Sequence, residues 1–286
     1  MRVPSVLLPV VEACGLVVKD CTLVSGGDIN QSFCLQTADS KFFLKLNDAS
    51  RFPEMFSREA SGLLALGQTG CLEVPSVVQS GICMGMQFLL MEWLERARPN
   101  NHFWQSFGTG LACLHKRHSN DFGWVHDNYI GSLIQRNGWR KSWSEFYTDM
   151  RIMPLVVQLV ERGNFSSSDL HLAEEWCSKL GNIFPAEPPA LLHGDFWSGN
   201  FLASGQGFAV VYDPAVYYGH REMDIAMSKL FGGFEPGFYD AYHDQYPLEK
   251  DWQSRLPYAQ LYPLLVHAVL FGGSYVHQCR KTMTLA

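Results

Sequence analysis

The sequence contains little charge and no excess of positive charge. Only 17% of its 286 residues are charged, and 28 acidic residues outnumber 22 basic ones, which gives a formal net charge of -6. A chain with this balance has no overall attraction for nucleic acid or for an anionic membrane. We therefore expect a small substrate and neither nucleic acid nor membrane as a partner, while the oligomeric state stays open.

Long apolar runs and metal-binding cysteine spacings are also missing. No run of about 18 uncharged apolar residues is present to span a membrane, and the eight cysteines form no Cys-x-x-Cys pair. Glu12 and two prolines argue against a secretion signal at the start of the chain. These absences favour a cytoplasmic protein. The apolar fraction of 47% indicates a folded chain with a large core.

The first hundred residues have the pattern of a sheet with one inserted helix. Apolar and β-branched residues predict three strands between residues 17 and 47, separated by turn-forming residues. Apolar spacing predicts a helix over 53–70, and two more strands follow near 76–81 and at 87–93. Beyond them, helical patterns predominate. They lie at about 101–117, 139–162, 168–184 and 251–279, and a hairpin is expected around the Gly-Gln-Gly turn at 205–207.

Polar residues cluster directly behind an apolar run in "LLHGDFWSGN", residues 191–200. Asp195 follows the run, Asn200 comes five residues later, and a second apolar run, "FAVVYDP", ends in Asp213. If the two runs are neighbouring strands, all three side chains surround one cavity. Carboxylate and amide oxygens suit Mg²⁺, which completes its octahedron with phosphate oxygens and water.

The same residues have the order of parts found in protein-kinase-like phosphoryl transfer. That order is His-x-Asp-x-x-x-x-Asn, then a strand, then a metal-binding aspartate. It predicts a lysine on the third strand of an N-terminal sheet and a glutamate in the next helix, and Lys45 and Glu59 fit both places. Gly26, Gly27 and Asn30 fall between the first two strands, where backbone amides can cover phosphates.

We therefore predict an α+β, bilobal, protein-kinase-like fold. An N-terminal lobe (1–94) with a five-stranded antiparallel sheet and a helix would bind nucleotide, and a larger, mainly helical lobe (95–286) would bind substrate. No GxxxxGK[ST] sequence is present, so the phosphate site is not a P-loop. Each part alone has a simpler interpretation, such as a hairpin turn at Gly26-Gly27 or solvated side chains at Lys45 and Glu59. Their agreement in order and spacing favours the interpretation that all of them belong to one kinase site.

The sequence also resembles the fructosamine (ketosamine) kinases, a family of small-molecule kinases related to aminoglycoside phosphotransferases. "LLHGDFWSGN" resembles the family's catalytic block, with Phe196 in place of leucine. "FGWVHDNYIGSLIQRNGWRKSWSEFY" is similar to its middle segment, and "VYDPAVYYGHREMDIAMSKLFGGF" resembles its metal-aspartate segment. The likeness covers nearly the whole chain.

The resemblance implies a role for each candidate residue. Asp195 would be the catalytic base, and Asn200 and Asp213 would hold Mg²⁺. ATP would be bound by the turn residues Gly26, Gly27 and Asn30, by Lys45 with Glu59 orienting it, and by the linker residues Met91, Glu92, Trp93 and Leu94. Trp197, Tyr218 and His220 are the substrate candidates, and Asp224 would brace the catalytic loop. Asp28 departs from the family, in which a small residue is common at this position, and a carboxylate beside the ATP phosphates would be repulsive.

The implied reaction is ATP-dependent phosphorylation of the 3-hydroxyl of a ketoamine, either a fructosamine or a ribulosamine, on a small molecule or a protein. The phosphate beside the ketone can then be eliminated and the amine released, which amounts to deglycation. Three alternatives stay open: another small-molecule kinase for an aminoglycoside or choline, a two-metal phosphohydrolase, and a nucleotide-binding pseudoenzyme.

Overall fold

A computed structural model of the chain describes residues 3–24 and 29–284. The chain forms two compact units. Unit 1 comprises Met1–Asn100 and Leu202–Asp213, and unit 2 comprises Asn101–Phe201 and Pro214–Ala286. The predicted lobes are continuous in sequence, whereas unit 1 also takes the short segment that ends at Asp213. Their assignment as a nucleotide lobe and a substrate lobe remains a prediction.

Unit 1 is built on a five-stranded antiparallel sheet, as the sequence predicts. Its strands are β1 (Asp20–Val24), β2 (Gln31–Gln36), β3 (Lys41–Asp48), β4 (Val77–Cys83) and β5 (Met86–Glu92), in the order β1-β2-β3-β5-β4. A short helix, α1 (Leu8–Ala13), precedes the sheet, and α2 (Met55–Gln68) lies between β3 and β4 in sequence. The predicted α+β fold class, with its N-terminal sheet and single inserted helix, is confirmed.

The register of the sheet and the period of α2 place two charged residues on buried faces. Lys45 lies in the middle of β3, opposite Ser32 on β2 and Leu89 on β5. In α2, Glu59 is four residues from both Met55 and Leu63, which are buried, so it lies on the same face of the helix. Both charged side chains are therefore directed towards the interior of unit 1.

Unit 2 consists mainly of helices. They are α3 (Phe103–His115), α4 (Trp143–Phe146), α5 (Met153–Glu161), α6 (Ser167–Ser178), α7 (Glu222–Leu230), α8 (Pro236–Gln245), α9 (Trp252–Phe271) and α10 (Ser274–Met283). A π-helical turn, Tyr147–Ile152, joins α4 to α5. Short strands complete the chain: β6 (Asn128–Ile130), β7 (Leu133–Gln135), β8 (Ala190–Leu192), β9 (Phe201–Ala203), β10 (Ala209–Val211) and β11 (Tyr217–Gly219). Among the described residues, no helix is long and apolar enough to cross a membrane.

Two expectations about the C-terminal elements were wrong. The strand before Asp195, β8, pairs with β11, whereas the strand before Asp213, β10, pairs with β9, so the two are not neighbours in a sheet. The helix expected over 251–279 is two helices, because Gly272 and Gly273 both have positive φ angles and end α9. The expected hairpin at 205–207 is present as β9–β10.

Candidate active site

A buried lysine lies between two carboxylates in unit 1. Lys45 Nζ lies 2.7 Å from Glu59 Oε1 and 2.5 Å from Asp213 Oδ1. The Lys45 side chain is 6% exposed and that of Glu59 is 12% exposed, whereas Asp213 is 42% exposed. The kinase-like order of residues in the sequence points to Lys45, Glu59 and Asp213, and the structure brings these three side chains together.

The charge of Lys45 is maintained by its two partners. Burial alone would lower the pKa of this ammonium group, but the carboxylates of Asp213 and Glu59 outweigh burial and raise the pKa above its ordinary value. Lys45 is therefore protonated throughout the physiological range. A fixed ammonium group of this kind is suited to binding phosphate oxygens.

The β9–β10 hairpin delivers Asp213 to this lysine. The backbone N–H of Val211 at the end of β10 donates to the carbonyl of Glu73, which anchors the hairpin within unit 1. Two residues later Asp213 has a φ of 55°, in the left-handed region that residues other than glycine rarely adopt. Such strain concentrates at functional sites.

The loop that carries Asp195 in unit 2 is held by backbone hydrogen bonds to one aspartate. Asp224, 1% exposed on α7, accepts the N–H of His193 at 2.8 Å and that of Gly194 at 3.0 Å. The bracing role predicted for Asp224 fits these bonds. The buried His193 ring accepts the N–H of Asp195 at 3.3 Å, so this histidine packs and supports the loop.

Asn200 is bonded to the expected base itself. Its Nδ2 atom donates to the backbone carbonyl of Asp195 and to Asp195 Oδ2, both at 2.9 Å. These bonds use the amide nitrogen and leave the amide oxygen as an acceptor. Among the described residues, no group of three or more His, Cys, Asp and Glu side chains is arranged to hold a metal ion. The amide oxygen of Asn200 in unit 2 and the carboxylate of Asp213 in unit 1 are each donors of the kind that Mg²⁺ accepts. Their role as metal ligands remains a prediction.

The three substrate candidates have different surroundings. Trp197 is half-buried and lies edge-on to Phe231, with ring centroids 5.8 Å apart. Tyr218 on β11 is half-buried, and its ring contacts those of Trp124 and Trp139. His220 is 1% exposed, and burial lowers its pKa. This burial favours a packing role for His220, and contact with substrate is better supported for Trp197 and Tyr218.

The predicted nucleotide-binding residues of unit 1 are only partly described. Gly26, Gly27 and Asp28 lie outside the described residues. Asn30 Oδ1 accepts from Asn47 Nδ2 at 2.7 Å. Two of the predicted linker residues, Met91 and Glu92, are the last residues of β5, and Trp93 and Leu94 follow it. Met91 is buried, Glu92 accepts from Ser76 N at 2.7 Å, the Trp93 backbone N–H donates to the Lys41 carbonyl, and Leu94 is half-buried. Their contact with adenine remains a prediction.

The sequence analysis missed a histidine that supports Asp224 from α3. His115 is fully buried, and its Nε2 atom lies 3.2 Å from Asp224 Oδ2, while its Nδ1 atom lies 2.8 Å from the Tyr242 hydroxyl. No local pattern marks His115, because it lies among apolar helical residues 109 positions away from Asp224. The one sequence signal that could have pointed to His115 is its position on the apolar face of a predicted helix.

Together, the sheet with its buried lysine–glutamate pair and the aspartate loop behind β8 define a phosphotransferase with a protein-kinase-like fold. The chain belongs to the fructosamine kinase family, whose family model matches residues 10–286. The predicted family and enzyme class, a phosphotransferase with an alcohol as acceptor, are therefore confirmed.

Individual relatives agree with this assignment. The probable ketoamine kinase of Synechocystis is 41% identical over 268 residues, which cover 93% of this chain and 90% of that protein. The ketosamine-3-kinase of Mus musculus is 32% identical over 87% of this chain and 89% of its own length. Among solved structures, a candidate fructosamine-3-kinase from Thermobifida fusca is 35% identical, has a TM-score of 0.89, and matches over 99% of this chain and 98% of that one.

Proposed function

We propose that this protein transfers the γ-phosphoryl group of ATP to the 3-hydroxyl of a ketoamine, a fructosamine or a ribulosamine, and so starts deglycation of the amine. The observation that carries the proposal is the buried ion pairing of Lys45 with Glu59 and Asp213. A buried ion pair is weak support for stability because of its desolvation cost, whereas phosphoryl transfer uses a lysine held by a carboxylate. Family membership supplies the ketoamine as acceptor.

Asp195 acts as the base in this proposal. Its carboxylate accepts the proton of the substrate hydroxyl, the hydroxyl oxygen forms a bond to the γ-phosphorus, and the bond to the ADP oxygen breaks. The hydrogen bond from Asn200 to Asp195 Oδ2 orients this carboxylate. Lys45 binds ATP phosphate oxygens, and Glu59 keeps the lysine in place.

Asn200 and Asp213 would hold Mg²⁺, which neutralises charge on the phosphates when it is bound. The residues Gly26, Gly27 and Asn30 would cover the phosphates, and Met91, Glu92, Trp93 and Leu94 would take the adenine. Trp197 and Tyr218 offer aromatic faces to the sugar. We keep the cytoplasm as the expected location.

The test is an ATP- and Mg²⁺-dependent assay with a synthetic fructosamine, a ribulosamine, choline and kanamycin as acceptors. We expect transfer to the ketoamines alone, and Asp195→Asn should lower kcat by about 10²- to 10⁴-fold while ATP binding is retained. Asp244→Asn, an exposed aspartate on α8, is the matched control and should have wild-type activity. Transfer only to choline or kanamycin would keep the mechanism and overturn the substrate, and no transfer to any acceptor would overturn the function.

A further inference from the structure

Five polar side chains are buried together in unit 2, outside the catalytic motif. Asn128 on β6, Gln135 on β7, Asn137 after β7, Arg151 on the π-helical turn and Tyr262 on α9 are each at most 5% exposed. Burying an amide or a guanidinium group costs free energy unless hydrogen bonds replace those lost to water. A cluster of this size therefore needs a structural or functional reason.

These side chains are connected to one another by hydrogen bonds. Arg151 donates to Asn137 Oδ1 at 2.7 Å, and Asn137 Nδ2 donates to Asn128 Oδ1 at 2.9 Å. Gln135 Nε2 donates to the same Asn128 oxygen at 2.8 Å, and the Tyr262 hydroxyl donates to Gln135 Oε1, also at 2.8 Å. The two ends of the Gln135 amide are thus both fixed, and its orientation is determined.

The cation of this cluster is stabilised by aromatic rings. The Arg151 guanidinium carbon lies 4.6 Å from the ring centroid of Phe146, 4.1 Å from that of Tyr217 and 5.3 Å from that of Tyr262. In residues 3–24 and 29–284, no carboxylate lies within ion-pair distance of Arg151. A π-helical turn places this residue in the interior, and such turns occur often at functional sites.

The cluster ends on the backbone beside the catalytic loop. Gln135 Nε2 donates to the Ala215 carbonyl at 2.9 Å, and Ala215 N donates to the His193 carbonyl at 2.9 Å. The same Ala215 oxygen packs against Gly194, where a Cβ atom would overlap it. Ala215 is therefore held between the Gln135 amide on one side and the His193–Gly194 turn on the other.

The other end of the Gln135 amide is fixed by a residue of α9. Tyr262 is 5% exposed, and its hydroxyl donates to Gln135 Oε1 at 2.8 Å. Burial raises the pKa of the Tyr262 phenol, so the hydroxyl keeps the proton that it donates. This hydrogen bond therefore helps to hold the Gln135 amide in the orientation that bonds Ala215.

We propose that Gln135 is a positioning residue for phosphoryl transfer: its amide fixes the Ala215 carbonyl, and through Ala215 it fixes the turn that carries Asp195. The inference rests on the proposed role of Asp195 as the base. Displacement of a catalytic group by about 1 Å costs on the order of 10²-fold in rate. Loss of one buried hydrogen bond to the loop is thus expected to lower kcat more than it changes nucleotide affinity.

The test is Gln135→Glu, which keeps the shape and the acceptor for Tyr262. Its ionised carboxylate has no donor for Ala215 or Asn128, whereas its protonated form regains one donor. We expect kcat at about pH 8 to fall by about 10- to 100-fold with KM for ATP within about twofold of wild type. Because burial raises the pKa of a carboxyl group, the ratio of variant to wild-type kcat should rise as the pH is lowered towards about 6.

Two further variants separate positioning from stability. Gln158→Glu makes the same chemical change at a half-buried residue of α5 and should keep the wild-type pH profile. Gln135→Met removes the amide without adding charge and should lower kcat with no recovery at low pH. It also provides the test if Gln135→Glu does not fold.

Wild-type kcat in a folded Gln135→Met would overturn the proposal, as would a loss of activity in Gln135→Glu that does not recover at low pH. The ratio of variant kcat to wild-type kcat is measured with whichever acceptor the wild type phosphorylates. The test therefore remains valid even if the acceptor is not a ketoamine. An inactive wild type would instead overturn the proposed function and this inference with it.

Discussion

The two units hold their functional residues by different means. In unit 1, Lys45 is held by two carboxylates, and the interaction is a direct attraction between charges. In unit 2, the loop of Asp195 is held by hydrogen bonds from backbone N–H groups to Asp224 and from backbone Ala215 N to the His193 carbonyl. The position of Lys45 depends on the charges of its partner side chains, whereas the position of the Asp195 loop depends on the geometry of its backbone. Substitutions should therefore affect the two units differently.

The largest effect is expected where the backbone of unit 2 admits no side chain. Gly194 has a φ of 84°, and a Cβ atom there would overlap the Ala215 carbonyl oxygen. We expect Gly194→Ala to lower the free energy of unfolding by about 4 kcal/mol, from the strained φ and the steric overlap combined. It should also lower kcat by at least about 100-fold, since the next residue is Asp195. Urea unfolding and steady-state kinetics measure both.

The control for this prediction is Gly181→Ala. A Cβ atom at Gly181 would meet nothing within 4 Å, and this glycine has no positive φ. We expect no loss of stability or activity in this variant. If Gly194→Ala resembled Gly181→Ala in both measurements, the catalytic loop would not depend on its backbone geometry, and the contrast between the units would fail.

The same contrast explains what could be predicted from the sequence. A charged residue at a set place in the order of strands and helices can be recognised from a single sequence. This is why the sequence could point to Lys45, Glu59 and Asp213. It could not point to Gln135, because this residue acts on the Ala215 carbonyl, 80 residues away, and a backbone carbonyl has no sequence signature. Residue types that carry chemistry could therefore be proposed from the sequence, whereas most side chains that hold the backbone could not.

Errors in the predicted elements have similar causes. The strands β6 and β7 have three residues each, too few for an alternating pattern to be recognised. The pairing of β8 with β11 was missed because partner choice depends on contacts distant in sequence. The break after α9 was visible as Gly272-Gly273, two glycines that both adopt a positive φ.

A smaller effect is expected from removing the cation of unit 1. Lys45→Met leaves Glu59 buried without its partner, and we expect the free energy of unfolding to fall by about 3 kcal/mol. Lys41→Met is the matched control on the same strand. Its ion pair with Glu95 is exposed, with 45% and 68% of the two side chains accessible, and is worth less than about 1 kcal/mol. Only Lys45→Met should raise KM for ATP. Equal losses of stability in the two variants would show that burial does not set the strength of these pairs.

The smallest effect concerns Asp169, where unit 2 combines an ion pair with hydrogen bonds to the backbone. Asp169 caps α6 through Ser166, and its Oδ1 atom lies 2.9 Å from Arg280 Nε. The hydrogen bond from Arg280, together with those from Ser166, lowers the pKa of Asp169. A carboxylate with a lowered pKa stabilises the fold above its unfolded pKa, and this stabilisation is lost as the pH falls through the folded value. We expect Asp169→Asn to cost about 1 kcal/mol at pH 7. The difference from wild type should shrink below about pH 4. Glu175→Gln, at an exposed residue of the same helix, should show no such change. The value of kcat should be unchanged in both variants, because neither residue belongs to the site. If the loss of stability in Asp169→Asn stayed constant in acid, hydrogen bonding without charge would be what holds α6.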